Sequence, residues 1–128
     1  MTVALVLAGG ALGSLMRYGL SGFAQRFSGG IFPWGTLTVN LLGAFAIGLT
    51  YEVLNRSAAW PGLRIFLFSG ILGGFTTFSA FGLETSNLLR NGEARLGVAN
   101  VLFSAMAGVI LVFAGFAAGK LLLRLVLK

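Results

Sequence analysis

Thr36 and Asn40 stand four residues apart in "WGTLTVNLLG" and share one helical face, with Thr38 off it. An Asn amide carries two N–H donors and a Thr hydroxyl one. On a helix such a pair either glues a neighbouring helix by a hydrogen bond or marks a functional site, the default reading of a polar side chain in lipid. Asn100 and Ser104 repeat the spacing later in the chain and leave the same two readings open. The densest cluster is "GGFTTFSAF", residues 73–81. A Gly-Gly pair inside a helix costs about 1 kcal/mol per glycine against alanine. The threonines after it can satisfy backbone groups freed by an interruption, which is how a broken membrane helix reads in sequence. A break exposes carbonyls able to coordinate a cation at mid-depth; the alternative is an unbroken helix with a notch for close packing. Phe75, Phe78 and Phe81 recur every third residue as a drifting stripe. Such a stripe faces lipid or a neighbouring helix, or turns its electropositive ring edges toward a narrow anion path.

Arg17 lies well inside the first apolar run. It either snorkels to the interface or draws anions into a vestibule. The acids are Glu52, Glu84 and Glu93, none of them centred in the first, second or fourth apolar run, which disfavours a proton-coupled cation pump. With no Cys and no His, the chain has no disulfides, no thiolate nucleophile, no zinc site of the usual kind and no histidine base. The expectation is a protein that is not an enzyme.

These residues need elements to hold them, and composition names the solvent. Of 128 residues, 57% are hydrophobic and 9% charged, against roughly 25% charged in a soluble domain. A soluble fold of this size could not hide that much apolar surface, so the bilayer is the natural solvent. The net charge of +6 then marks scattered interfacial anchors and no nucleic-acid partner. A spanning helix takes about 20 apolar residues, and four stretches qualify: residues 3–23, 34–54, 63–89 and 96–122 of a single transmembrane domain. The connectors at 25–33, 55–62 and 90–95 carry the Gly, Pro and Asn of turns. The start of the chain lacks the basic stretch of a signal peptide and reads as a mature span.

Four spans put both termini on one side, where Arg56, Arg64, Lys120, Arg124 and Lys128 face Arg26, Arg90, Arg95 and Arg17 across the membrane. The near balance leaves two readings: cytoplasmic termini, or insertion both ways and pairing with an inverted copy. Gly9–Gly13, Gly70–Gly74 and Gly115–Gly119 are spacings that let helices approach closely. Four such tightly packed helices can scarcely enclose an aqueous path alone, so an oligomer is expected.

"GGFTTFSAF", "PWGTLTVNLLG" and "GALGSLMRY" around Arg17 together resemble the Fluc family of bacterial fluoride channels over essentially the whole chain. The resemblance implies an all-α membrane protein whose third helix is broken at its centre, assembled as an inverted, dual-topology homodimer in the bacterial inner membrane. It implies a passive, selective fluoride channel that exports the ion and lowers its toxicity, with two pores per dimer. Phe78, Phe81, Asn40, Ser104, Ser79 and Thr77 would line the pore and Arg17 the vestibule. The backbone carbonyls of Gly73 and Thr76 would hold a structural Na⁺ at the dimer interface. The role of Glu84 stays open. One departure stands out: the family's usual "TTFSTF" reads "TTFSAF" here, so Ala80 removes one hydroxyl from the ion's track.

Two rival classes remain in view. A small multidrug transporter also has four helices and dual topology, but needs a carboxylate on the first helix that this chain lacks. A non-transporting assembly protein would use Asn40, Ser104 and the phenylalanines only for packing.

Overall fold

The apolar runs form four helical spans, seen in a computed structural model that describes residues 1–56 and 60–126. Residues 57–59 of the second connector and Lys128 of the charge balance lie outside the described residues. The first helix is Thr2–Ser28, the second Trp34–Asn55, the third span Pro61–Arg90 and the fourth helix Ala94–Val126. Each is long and apolar enough to cross a bilayer. No strand occurs among the described residues. This is an all-α, multi-pass membrane protein.

The helices run further than the hydropathy limits, and the ends have local causes. The first continues through Gln25, whose side chain braces the turn that follows. Its Oε1 accepts from the Gly35 N–H at 3.1 Å and its Nε2 donates to the Phe32 carbonyl at 3.1 Å. Helical geometry stops only at Gly29, where φ is +63°. Pro61 opens the third span at a first-turn position, where its missing N–H costs nothing. Gly92, at φ +81°, makes the tight turn into the fourth helix.

The third span is not one helix. A short α-helix, Pro61–Arg64, passes into a π-helical stretch, Ile65–Leu72, then one α turn, Gly73–Phe75. Thr76 and Thr77 are extended, and a second α-helix runs Phe78–Arg90.

Glycine sets the packing. A Cβ on Gly9 would lie 2.8 Å from the Gly70 Cα, one on Gly13 2.8 Å from the Phe75 nitrogen, and one on Gly74 2.6 Å from the Gly10 carbonyl oxygen. The Gly9–Gly13 and Gly70–Gly74 spacings therefore interlock, backbone against backbone. On the other side a Cβ on Gly115 would lie 2.7 Å from the Leu49 nitrogen, and one on Gly119 2.9 Å from the Glu52 Cβ. The bundle is two tight pairs: the first helix with the leading half of the third span, and the second helix with the fourth. Leu37, Val39, Leu72, Phe75 and Leu88 are buried between them, while Leu7, Leu15, Phe103, Phe113 and Leu125 face outward. Outward-facing apolar side chains suit a chain solvated by lipid.

Candidate functional site

The break in the third span is built by two threonines and one amide from the second helix. Thr76 sits at φ −85°, ψ 156° and Thr77 at φ −149°, ψ 117°. β-Branched residues take extended geometry readily, but two extended residues inside a bilayer leave peptide groups without helical partners. Asn40 supplies them. Its Nδ2 donates to the Thr77 carbonyl at 2.9 Å, and its Oδ1 accepts from the Thr77 N–H at 2.8 Å. One side-chain amide thus pairs both polar groups of one residue, as a neighbouring strand would. Gly43, one turn further along the second helix, lets the two elements come this close, since a Cβ there would run into the Thr76 methyl.

Each half of the span ends in capping bonds. The Thr76 N–H and hydroxyl both donate to the Leu72 carbonyl, each at 3.0 Å. Thr77 caps the second half, its Oγ1 accepting from the Ala80 N–H at 3.2 Å, and shares a 3.2 Å hydroxyl contact with Ser79. The carbonyls of Gly73 and Thr76 lose their usual partners four residues on. The Thr77 N–H is turned to Asn40 and the Ala80 N–H to the Thr77 hydroxyl. The break therefore presents carbonyl oxygens from one half-helix and the positive N-terminal end of the next.

A cavity of about 700 Å³ opens on the break. It gathers Asn40, Gly73, Thr76, Thr77, Phe78, Phe81 and Ser104 from the second helix, both halves of the third span and the fourth helix. The phenylalanine stripe divides. Phe75 is buried against the bundle, whereas Phe78 is 84% exposed and stacks at 5.4 Å, tilted 41°, on Phe81. Ser79 is exposed and is not among the residues that line this cavity, although its hydroxyl reaches that of Thr77, which does.

Arg17 lines a second cavity, of about 470 Å³, with Ser14, Thr36, Ala80 and Glu84. Thr77 is the residue common to both cavities. A third, of about 680 Å³, shares Ser21, Thr36 and Glu84 with the second and continues past Gln25, Asn87 and Asn91 to Glu93 at the membrane edge. Polar side chains thus run from one edge of the protein to the break. Thr36 donates from Oγ1 to Glu84 Oε1 at 2.7 Å, and the other carboxylate oxygen is buried with no hydrogen-bond partner.

Two features escaped the sequence reading. Thr36 and Asn40 do share a face, but Thr36 serves Glu84 and Asn40 serves the Thr77 backbone. Nothing in either segment announces the other partner, because both bonds join different helices. The Asn100/Ser104 pair likewise recruits Thr85: Asn100 Nδ2 donates to Thr85 Oγ1 at 2.9 Å, and Ser104 Oγ donates to Asn100 Oδ1 at 3.4 Å.

The family described as "CrcB-like protein, Camphor Resistance (CrcB)" matches residues 4–116. A protein of Agrobacterium fabrum named fluoride-specific ion channel FluC is 45% identical over 121 residues, covering 94% of this chain and 97% of its own. Proteins of the same name from Geotalea uraniireducens and from a strain of Thermus thermophilus are 48% and 47% identical, over 94% and 90% of this chain and 98% and 91% of theirs.

Proposed function

The chain belongs to the CrcB-like family, and from that premise we propose that it is a passive fluoride channel that lets the ion leave the cytoplasm. The observation that carries the reading is the cavity at the break, which Asn40, Thr77, Phe78, Phe81 and Ser104 line together from three spans.

Fluoride is small and strongly hydrated, so a path that strips its water must return hydrogen bonds or positive edges at each step. Arg17 draws the anion in from the side of the second cavity. Thr77, standing between the cavities, passes it toward Asn40, Phe78, Phe81 and Ser104. Asn40 has one Nδ2 hydrogen beyond the one given to Thr77, and the Phe78 and Phe81 rims add electropositive C–H edges. The first-turn N–H groups of Phe78–Arg90 favour an anion beside them. A hard cation suits the opposite end of the break, where the Gly73 and Thr76 carbonyls supply oxygen ligands. No cluster of three or more His, Cys, Asp or Glu occurs among the described residues, so backbone oxygens are the natural holders of Na⁺. Bound there, Na⁺ supplies positive charge that offsets the carbonyl dipoles.

One chain leaves this cavity open at its side, and we assign the missing wall to an inverted second copy, which gives two antiparallel pores per homodimer. An interior-negative potential of 100 mV is worth about 2.3 kcal/mol per charge. That is drive enough for export without ATP or a coupled proton.

The test is efflux from liposomes holding purified protein, with fluoride and chloride measured in parallel. Rapid fluoride efflux with chloride retained is the expected result. A folded, correctly assembled protein that passes neither ion, or both equally, would sink the proposal.

A further inference from the structure

Asn100 is 1% exposed, the most completely buried polar side chain among the described residues. Asn100 itself does not line the cavity at the break, but its partner Ser104 does. The other bond of Asn100, to Thr85 Oγ1 at 2.9 Å, ties the fourth helix to the second half of the third span. Ser104 has one hydroxyl hydrogen to give. Here it goes to Asn100 Oδ1 across 3.4 Å, a long and therefore weak bond.

Both neighbours of the amide are hydroxyls, and a hydroxyl donates or accepts with equal ease. Turned by half a rotation, Asn100 would accept from Thr85 and donate Nδ2–H to Ser104, at the same separations. Ser104 would then hold its oxygen against the amide and have its hydrogen free for the cavity. We propose that Asn100 is a positioning residue that sets which way the Ser104 hydrogen points: withheld from the path in one amide orientation, offered to an anion in the other. An anion beside Ser104 selects the second orientation, because the hydroxyl gains a charged acceptor while the buried amide keeps both bonds. Without Asn100 the serine hydroxyl turns to the backbone carbonyl one helical turn back, as serines in helices do, and the donor is lost to the path.

The inference rests on the channel reading, and one set of efflux measurements separates the two. Asn100→Leu, Ser104→Ala and the double variant are reconstituted beside the wild type. Assembly state and unfolding midpoint are checked for each. Asn100→Leu and Ser104→Ala should each slow fluoride efflux at least about tenfold, the lower bound for one hydrogen bond to a charged group. The double variant should be no slower than Ser104→Ala alone, since Asn100 acts through Ser104. A purely structural role would slow efflux again in the Ser104→Ala background. Wild-type efflux from Asn100→Leu, or losses that multiply in the double variant, would overturn the proposal. If Asn100→Leu does not assemble, Thr85→Val is used: it removes the hydroxyl that pairs the amide in either orientation while leaving Asn100 and Ser104 in place. Slowed efflux that vanishes as an effect in the Ser104→Ala background supports the inference, and unchanged efflux in both backgrounds overturns it. No fluoride efflux from the wild type would overturn the channel reading and this inference together.

Discussion

At the scale of single residues, the amide of Asn40 and the rings of Phe78 and Phe81 make opposite demands on the same cavity. Asn40 spends its carbonyl and one hydrogen on the Thr77 backbone, so a substitution there acts on stability as well as on flux. Asn40→Asp keeps an acceptor for the Thr77 N–H but sets a carboxylate oxygen against the Thr77 carbonyl. It should lower stability by about 1–3 kcal/mol, read as a shift in the unfolding midpoint in detergent. An unchanged midpoint would show that the clamp contributes nothing. Phe78 is the contrasting case, since at 84% exposure it supports little within its own chain. Phe78→Ile should leave the stability of the isolated fold within about 0.5 kcal/mol yet slow fluoride efflux at least tenfold, by removing the ring edge. Wild-type efflux from Phe78→Ile would take that ring out of the path.

At the scale of elements, the third span explains what could and could not be read in advance. Gly73-Gly74 followed by two threonines carries the break in its own chemistry, because glycine weakens the helix and Thr tolerates extended geometry. The π-helical stretch before it has no such mark. "IFLFSGIL" reads as any apolar helix, and its widened winding accompanies the backbone contact of Gly70 with Gly9. The pairing of Gly9–Gly13 with Gly70–Gly74 was legible as a motif but not as a pair, since spacing alone names no partner. The same limit hid Thr36–Glu84 and Asn100–Thr85. Glycine substitution tests the packing directly. A Cβ on Gly13 meets the Ile71 carbonyl and lies 2.8 Å from the Phe75 nitrogen, while one on Gly22 meets nothing within 4 Å. Gly13→Ala should therefore cost about 1–3 kcal/mol through overpacking. Gly22→Ala should be neutral or stabilising, because alanine is the better helix former. Thermal midpoints of the two variants decide it, and equal midpoints would refute the interlock.

At the scale of the whole molecule, the outward faces matter most. The bundle buries few large apolar side chains and turns many outward, Phe78 at the cavity of the break among them. The small difference in basic residues between the two sides, five against four in the sequence, leaves cytoplasmic termini and insertion both ways to be told apart by experiment. A chain without cysteine makes this easy to examine. Asn91→Cys places one thiol in the exposed turn before the fourth helix. In intact cells an impermeant reagent should label a substantial share of the chains, and permeabilising the cells should expose a comparable remainder. Labelling entirely from one side would exclude the inverted pair while leaving the fold untouched.

The Asn40 clamp also fixes an asymmetry in what variation the protein can survive. One partner contributes side-chain atoms to the bond pair and the other only backbone. In a saturation library, position 40 will accept almost nothing but an amide. Position 77 will be filtered on different grounds, by extended geometry and by the cap it gives Ala80, so serine will pass there. Two sites joined by the same pair of hydrogen bonds will thus show unequal mutational tolerance, and no compensating exchange between them will restore a lost Asn40.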